Sequence, residues 1–376
     1  MKKLILINIK MVWDIAYEVT RLYNEFYKSM NILIVTQILD KKDPILGFFH
    51  RWVLEFSKKF EKVTVICLKK GEVDLPNTVK VLSLGKENSV NRLKYLWRFY
   101  KYIWTERKNY DSVFVHMNQI YVILGGLAWR LLRKKIGLWY AHGKVPMSLR
   151  LATLLADLIF TSTSSGFRIA SRKKNIIGQG IDSSLFPKSD TSANNDRLIS
   201  VGRISQIKNY ETLVRAIEIL AKPGTNLKVD IIGPVSTDRD KKYLGNLKSE
   251  ISNLGLDDNF SFIDPVVNDK LASCLKMAKL FVNTSLTGSL DKTILEAMSV
   301  GLPVVTCNES VDEIYDENCK FLLFPPRDPV ALADKIKKVL ALDAVKYREL
   351  SNQMSEIAAR HSLNRLVDKI QYLLSN

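Results

Sequence analysis

From Met30 onward, short runs of β-branched and other apolar residues alternate with stretches of helical periodicity. The first series contains NILIVTQ, VTVICL, VKVLSL, SVFVHM, KIGLWYAHG and LIFTSTSS, with helices expected at 48–60, 89–107, 120–132 and 149–156. Near-continuous apolar strands separated by helices form parallel βαβ units, because parallel neighbours need a crossover that covers the sheet. A polar stretch, KSDTSANNDR at 188–197, then divides the chain almost in half. A second series follows: RLISVGR, LKVDIIG, FSFID, LFVNTS, LPVVTC and KFLLFPP, with helices at 210–220, 243–254, 270–277 and 292–299. The tail at 329–375 has apolar residues at helical spacing and few breakers, which predicts two or more helices packing back across the molecule. The fold class is α/β, with two Rossmann-like domains.

A chain of 376 residues, 47% hydrophobic and 25% charged, has the balance of a globular protein with room for two such cores. No stretch reaches the ~18 to 20 uninterrupted apolar residues of a membrane-spanning helix. The run at 121–132 is broken by Gly125, Gly126 and Arg130. The N-terminus, MKKLILINIKMVWD, has Asn8 and Lys10 inside its apolar stretch and no small-residue cleavage site, so a cytoplasmic location is expected. Residues 1–29 place Trp13, Tyr17, Tyr23, Phe26 and Tyr27 at helix-compatible spacing and read either as an extra helix or as an upstream start. The four cysteines show no CxxC and the four histidines no HxxxH, which argues against a metal centre and a disulfide framework.

The charge is uneven. Residues 1–187 hold 31 of the 56 Lys+Arg and 14 of the 39 Asp+Glu, so the whole net charge of +17 falls there and the remainder balances. A field of one sign on one domain implies an anionic partner, a nucleic acid or an acidic lipid surface. No DNA- or RNA-binding motif appears, so nucleic acid is not expected. The stretch at 90–108 interleaves Leu93, Trp97, Tyr100 and Trp104 with Arg92, Lys94, Arg98, Lys101, Arg107 and Lys108, the composition of a helix that settles into an anionic interface. One stripe of it can equally pack on the sheet, and the two readings are compatible.

Two segments of the second half carry chemistry. In VGRISQIKN, Gly202 ends a strand and permits a tight turn, after which Arg203 and Lys208 can reach one cleft. Two fixed cations there would neutralise a diphosphate, although a solvated loop would look the same. In TSLTGSLDKTILEAMSVGLPVV, a Gly-Ser turn at Gly288 and Ser289 leads through Leu290 to Asp291, Lys292 and Thr293 in the first turn of a helix, with Glu296 further in. A carboxylate between Leu295 and Ala297 is costly to bury unless it accepts hydrogen bonds, which ribose hydroxyls would supply. The triplet at 238–240, Asp-Arg-Asp, sits in a polar loop and reads as solvated surface.

Together the two segments resemble the signature of family-4 retaining glycosyltransferases, with a G-R-x4-K-N loop and an E-x7-E stretch running into E-A-M-x-x-G-x-P-V-V. The likeness extends from Met30 to the C-terminus and includes IIGQGIDSSLFP at 176–187, similar to the family's N-G-V-D-x-x-x-F element. It implies a GT-B fold: an acceptor domain at 30–187, a donor domain at 188–350, the two facing each other across a cleft, and a last helix at 351–376 packing back on the first. It implies a hexosyl transfer with retention from a nucleotide-diphosphate sugar, with no metal and no cofactor, to a glycan or lipid-linked acceptor at the inner membrane face. Arg203 and Lys208 would grip the diphosphate and Glu296 the ribose. His142 would contact the donor sugar, with His116 as runner-up, and Gly47 would stand for the glycine loop on the acceptor side.

One departure matters. The first glutamate of E-x7-E is replaced by Gly288, so the side chain expected to touch the donor sugar is absent. The sugar is then held by backbone amides of 288–290 with help from Asp291 and Lys292, or donor specificity has shifted, or activity is lost. A sugar-nucleotide-binding scaffold without turnover, and an epimerase or hydrolase of the same architecture, are the alternatives.

Overall fold

The computed structural model describes residues 30–43, 46–189, 196–221, 227–286 and 288–376. The 1–29 extension and most of the polar linker lie outside them. The first domain runs β1 (Asn31–Leu39), α1 (Phe48–Lys59), β2 (Lys62–Lys70), β3 (Val79–Ser83), α2 (Arg92–Thr105), β4 (Ser112–His116), α3 (Ile120–Leu131), β5 (Lys135–Trp139), α4 (Met147–Leu155), β6 (Leu158–Thr161) and β7 (Lys174–Ile176). The second runs β8 (Arg197–Val201), α5 (Tyr210–Leu220), β9 (Lys228–Ile232), α6 (Asp238–Asn253), β10 (Phe260–Ile263), α7 (Asn268–Met277), β11 (Leu280–Asn283), α8 (Lys292–Ser299), β12 (Val304–Thr306), α9 (Glu309–Asp312), α10 (Pro329–Leu340), α11 (Ala344–Arg360) and α12 (Leu363–Ser375).

Both sheets are parallel, in the orders β3-β2-β1-β4-β5-β6-β7 and β10-β9-β8-β11-β12. The first sheet is buried on both faces. Phe49, Trp52, Val53 and Phe56 of α1 pack on one face together with Leu366, Val367, Ile370 and Leu374 of α12. Phe99 and Ile103 of α2, Val122 and Trp129 of α3, and Leu149 and Ala152 of α4 cover the other. Helix starts follow local chemistry: Asn91 accepts from Lys94 N at 2.9 Å, and Asp328 caps α10 ahead of Pro329, each cap contributing about 1 kcal/mol.

Four sequence expectations are corrected. The stretch KFLLFPP is not a strand: 317–322 forms a 3-10 helix, and Leu323 alone bridges to Thr306. It lies beyond the edge of the sheet, and Pro325 and Pro326 remove the N–H donors that would extend the ladder. Asp238 to Asp240 is not a loop but the first turn of α6, where Thr237 and a buried Asp240 form a capping box. The returning helix is shorter than 351–376, because Leu350, Met354, Ile357 and Ala358 of α11 belong to the second core and only α12 crosses. The outgoing crossing lies before 187, since Ile181 and Phe186 already pack in the second core. The polar linker marks a surface loop, not the crossing. The two crossings touch: Gly180 N and Ile181 N both donate to His361 O at 3.0 Å, Leu363 N donates to Ile181 O at 2.8 Å, and Trp52 Nε1 donates to Gly180 O at 3.0 Å.

Candidate active site

In the second sheet the strand order reverses between β8 and β11, so their carboxyl ends frame a crevice of the kind that receives ligands in open α/β sheets. Gly202 follows β8 with φ +155, and a side chain there would press on the Lys208 stem at 3.1 Å. The loop from Gly202 to Asn209 is stitched to the loop after β11: Leu286 N donates to Ile207 O at 3.0 Å and Thr284 Oγ1 to Lys208 O at 2.7 Å. Arg203 is exposed at the mouth of the crevice. Lys208 is not: its ammonium lies 2.6 Å from Asp291 Oδ2, with 14% and 16% of the two side chains accessible. Asn283 Nδ2 donates to the same carboxylate oxygen at 3.2 Å.

Asp291 precedes the first turn of α8, and Thr293 Oγ1 ties that turn to Val201 O at 3.2 Å. Leu290 is buried in the core, so only its backbone faces the crevice. Lys292 and Glu296, one helical turn apart, share the face of α8 turned toward the first domain. The Lys292 ammonium lies over the ring of Phe48 and 5.5 Å from the centroid of Trp52. Burial lowers its pKa well below the usual lysine value, with Glu296 opposing. The Glu296 carboxylate makes no hydrogen bond to protein among the described residues; desolvation pushes it up to about 7, the nearby Lys292 pulling the other way.

The first domain contributes the ends of β5 and β6. His142 is exposed, its backbone N–H donates to Gly166 O at 2.8 Å, and its Nδ1 accepts from Lys144 N at 3.2 Å. An imidazole whose Nδ1 is an acceptor carries its hydrogen on Nε2, so the neutral ring presents a donor to the cleft. Partial burial, and then Lys144, lower its pKa, which favours that neutral form. His116 lies elsewhere. It is buried, stacked on Phe49 with ring centroids 4.0 Å apart, and its Nδ1 is 3.4 Å from Thr36 Oγ1. Desolvation holds it neutral as a packed core ring, so it does not line the cleft expected for it. Gly47 opens α1 beside residues 44–45, which lie outside the described set.

His142, Gly143, Lys144 and Arg168 of the first domain and Arg203, Ser285, Gly288, Cys307, Asn308 and Glu309 of the second enclose one cavity of about 640 Å³. The structure therefore brings His142, Arg203 and Gly288 together, with Lys208 and Asp291 paired beside Gly202 and Lys292 and Glu296 on the adjoining face of α8. Sequence reasoning missed Lys144, Arg168, Asn308 and Glu309. The signal available was positional: all four sit just past the carboxyl end of a parallel strand, in AHGK, TSTSSGFR and TCNE. The domains meet at the same place, where Ser164 N and Ser165 N donate to Glu313 at 2.6 and 2.8 Å and the hydroxyls of Ser165 and Ser310 lie 2.8 Å apart. Among the described residues no group of acidic, histidine or cysteine side chains could hold a metal ion, and no helix is long and apolar enough to cross a membrane.

Residues 183–361 match the family model described as Glycosyl transferases group 1. Mannosylfructose-phosphate synthase of Agrobacterium fabrum is 28% identical over 135 residues, 33% of this chain and 30% of that protein. D-inositol 3-phosphate glycosyltransferase of an Arthrobacter species is 36% identical over 110 residues, 29% of this chain and 25% of that protein. The chain thus spans less than a third of the length of either relative. Among solved structures, Anabaena HepE in complex with UDP superposes with a TM-score of 0.74 at 19% identity, covering 92% of this chain and 100% of that one. HepE in complex with UDP-glucose gives 0.69 at 18%, covering 91% and 99%. At such identities the likeness is one of fold, the GT-B pairing of two Rossmann-like domains.

Proposed function

We propose that the whole molecule, whose residues 183–361 match the group 1 glycosyl transferase model, moves a sugar, with retention, from a nucleoside diphosphate to a glycan or lipid-linked acceptor. The cavity carries this reading: Arg203 from one domain and His142 from the other line the same 640 Å³, a volume suited to a small-molecule site. Glu296 takes the ribose, its carboxylate having no hydrogen-bond partner among the described residues. Gly202, Ser289, Leu290 and Thr293 contribute backbone around the phosphates. Arg203 meets the diphosphate first, and Lys208 exchanges Asp291 for a phosphate oxygen when the donor binds.

In the proposed step the bond between the anomeric carbon and the leaving phosphate oxygen breaks, and a bond to the acceptor hydroxyl forms on the same face. The acceptor proton passes to the departing phosphate, which leaves as the nucleoside diphosphate. Neither a protein nucleophile nor a metal takes part. The protein positions the two substrates and stabilises the growing negative charge through Arg203, Lys208 and the amino end of α8. His142 donates from Nε2 to a hydroxyl of the sugar.

The acceptor side lies on the first domain. Leu93, Trp97 and Trp104 of α2, Leu127 and Leu131 of α3, and Leu154 of α4 are all exposed on one outer face, Leu131 at 86%. Tyr100 Oη donates to Leu124 O and Arg130 Nε to Leu155 O, which locks the three helices side by side. Lys101 lies over Trp97 and Arg107 over Trp104, at 4.9 and 4.5 Å from the ring centroids. Aromatic side chains rimmed by cations are the composition of an anionic membrane interface, and this face is the proposed docking side for a lipid-linked acceptor.

Thermal shift with UDP, GDP, ADP and their hexose conjugates tests the donor reading, because a ligand that binds only the folded state raises the melting temperature. One nucleotide should stabilise the wild type and fail with Arg203→Ala and Glu296→Ala. Millimolar nucleotide without effect on the wild type would refute it.

A further inference from the structure

Gly288 leaves open the place where a donor-facing side chain was expected, and the structure shows what fills it. With φ +63, Gly288 turns so that a β-carbon added there would lie 2.6 Å from Glu309 Oε1 and 3.0 Å from Arg168 Nη2. A side chain at 288 and the carboxylate of Glu309 therefore compete for the same volume. Glu309 is the first residue of α9 and is held there by its neighbours. The buried Asn308 caps the helix through Ser310 N at 2.9 Å and donates from Nδ2 to Ser289 O at 2.7 Å, while Ser310 Oγ donates to Gly288 O at 3.3 Å. The backbone of 288–289 and the start of α9 are thus one unit, with the carboxylate facing the cavity.

The rest of the charged and polar lining offers mainly donors. Lys144, Arg168, Arg203, His142 and Asn308 all bring donors, and Glu309 is the single carboxylate among the described lining residues. Sugar hydroxyls are told apart by acceptors fixed at defined positions, and a carboxylate offers two oxygens for that. Such a group beside a diphosphate would repel it unless its charge were balanced, and Arg168, across the cleft on the first domain, pairs with Oε1. Oε2 makes no hydrogen bond among the described residues.

We infer that Glu309, with its charge balanced by Arg168 and its space cleared by Gly288, is the residue that recognises the hydroxyls of the donor hexose. The inference rests on the donor reading above and goes beyond it, because it moves sugar selection from the motif position at 288 to α9.

Isothermal titration tests it with UDP, GDP and ADP and with their glucose, galactose, mannose and N-acetylglucosamine conjugates. The readout is the ratio of dissociation constants, bare nucleotide over conjugate, for wild type and Glu309→Gln. The wild type should bind one conjugate at least tenfold more tightly than its nucleotide, and the variant should reduce that ratio to near one. Gly288→Ala, whose methyl group displaces the Glu309 carboxylate, should do the same. Equal melting temperatures of unliganded wild type and Glu309→Gln will show that the fold is intact. A ratio unchanged in Glu309→Gln overturns the inference, as does a wild type that binds nucleotide but gains nothing from any hexose. A wild type that binds no nucleotide removes the donor reading, and this inference falls with it.

Discussion

Glu296 is a carboxyl group that folding has made harder to ionise, pushed up to about 7 by loss of water with only Lys292 opposing. As the proposed ribose ligand it accepts two hydroxyls in its ionised form, so nucleotide affinity should increase as the pH rises through 7. Between pH 6 and pH 8 the gain should be about tenfold in the association constant, and Glu296→Gln should flatten the profile; calorimetric titration at the two pH values measures both. The identity of Arg203, Lys208, Glu296 and His142 as candidates is legible in the sequence, because each stands in the loop after a strand or on the helix α8, in segments whose residue types recur in a known pattern. What the sequence hides is pairing. Nothing in the order of residues says that Asp291 neutralises Lys208 at 2.6 Å, that Lys292 points at Phe48, or that Glu309 fills the space over Gly288. Those contacts join segments distant in the chain or on different domains, and composition carries no information about them.

At the scale of the element, α2 combines a buried stripe with an exposed apolar one. Phe99 and Ile103 anchor it to the sheet while Leu93, Trp97 and Trp104 stand out, Trp97 and Trp104 each 60% exposed. The packing reading of this stretch holds, since one stripe is buried on the sheet, and another stripe is left uncovered among the described residues. If that stripe meets a bilayer, the protein should co-sediment with vesicles containing phosphatidylglycerol and not with pure phosphatidylcholine. A Trp97→Ser, Trp104→Ser double variant should weaken the association at least tenfold without changing the melting temperature, since neither ring is in the core. Strand and helix positions were legible almost throughout because buried parallel strands are written as continuous apolar runs. The failures have local causes. At 320–324 an apolar run lies past the sheet edge, where it makes a single bridge to Thr306 among the described residues, and at Asp238 the capping box starts a helix earlier than its apolar spacing suggests.

In the whole molecule, the two domains are held by the paired crossings and by the contact of 163–168 with α9. The crossings contain a titratable group. His361 is buried, its Nδ1 lacks a hydrogen-bond partner among the described residues, and burial with Arg360 and Lys369 nearby lowers its pKa to about 4. A histidine whose folded pKa lies below its unfolded value of ~6.5 gives stability that is full above that value and is lost as the pH falls toward 4. Between pH 7 and pH 5 the loss attributable to this group is about 2 kcal/mol. Urea titrations at the two pH values should show a stability drop in wild type that exceeds the drop in His361→Leu by that amount.

Because Ile181 and Ser362 are bridged, the chain leaves its first domain and comes back at one spot. Topologically, the second domain is a cassette set between the two parts of a split first domain, 30–180 and α12, and the family match at 183–361 falls just inside those joins. A cassette whose ends already touch can be exchanged between hosts without disturbing either core.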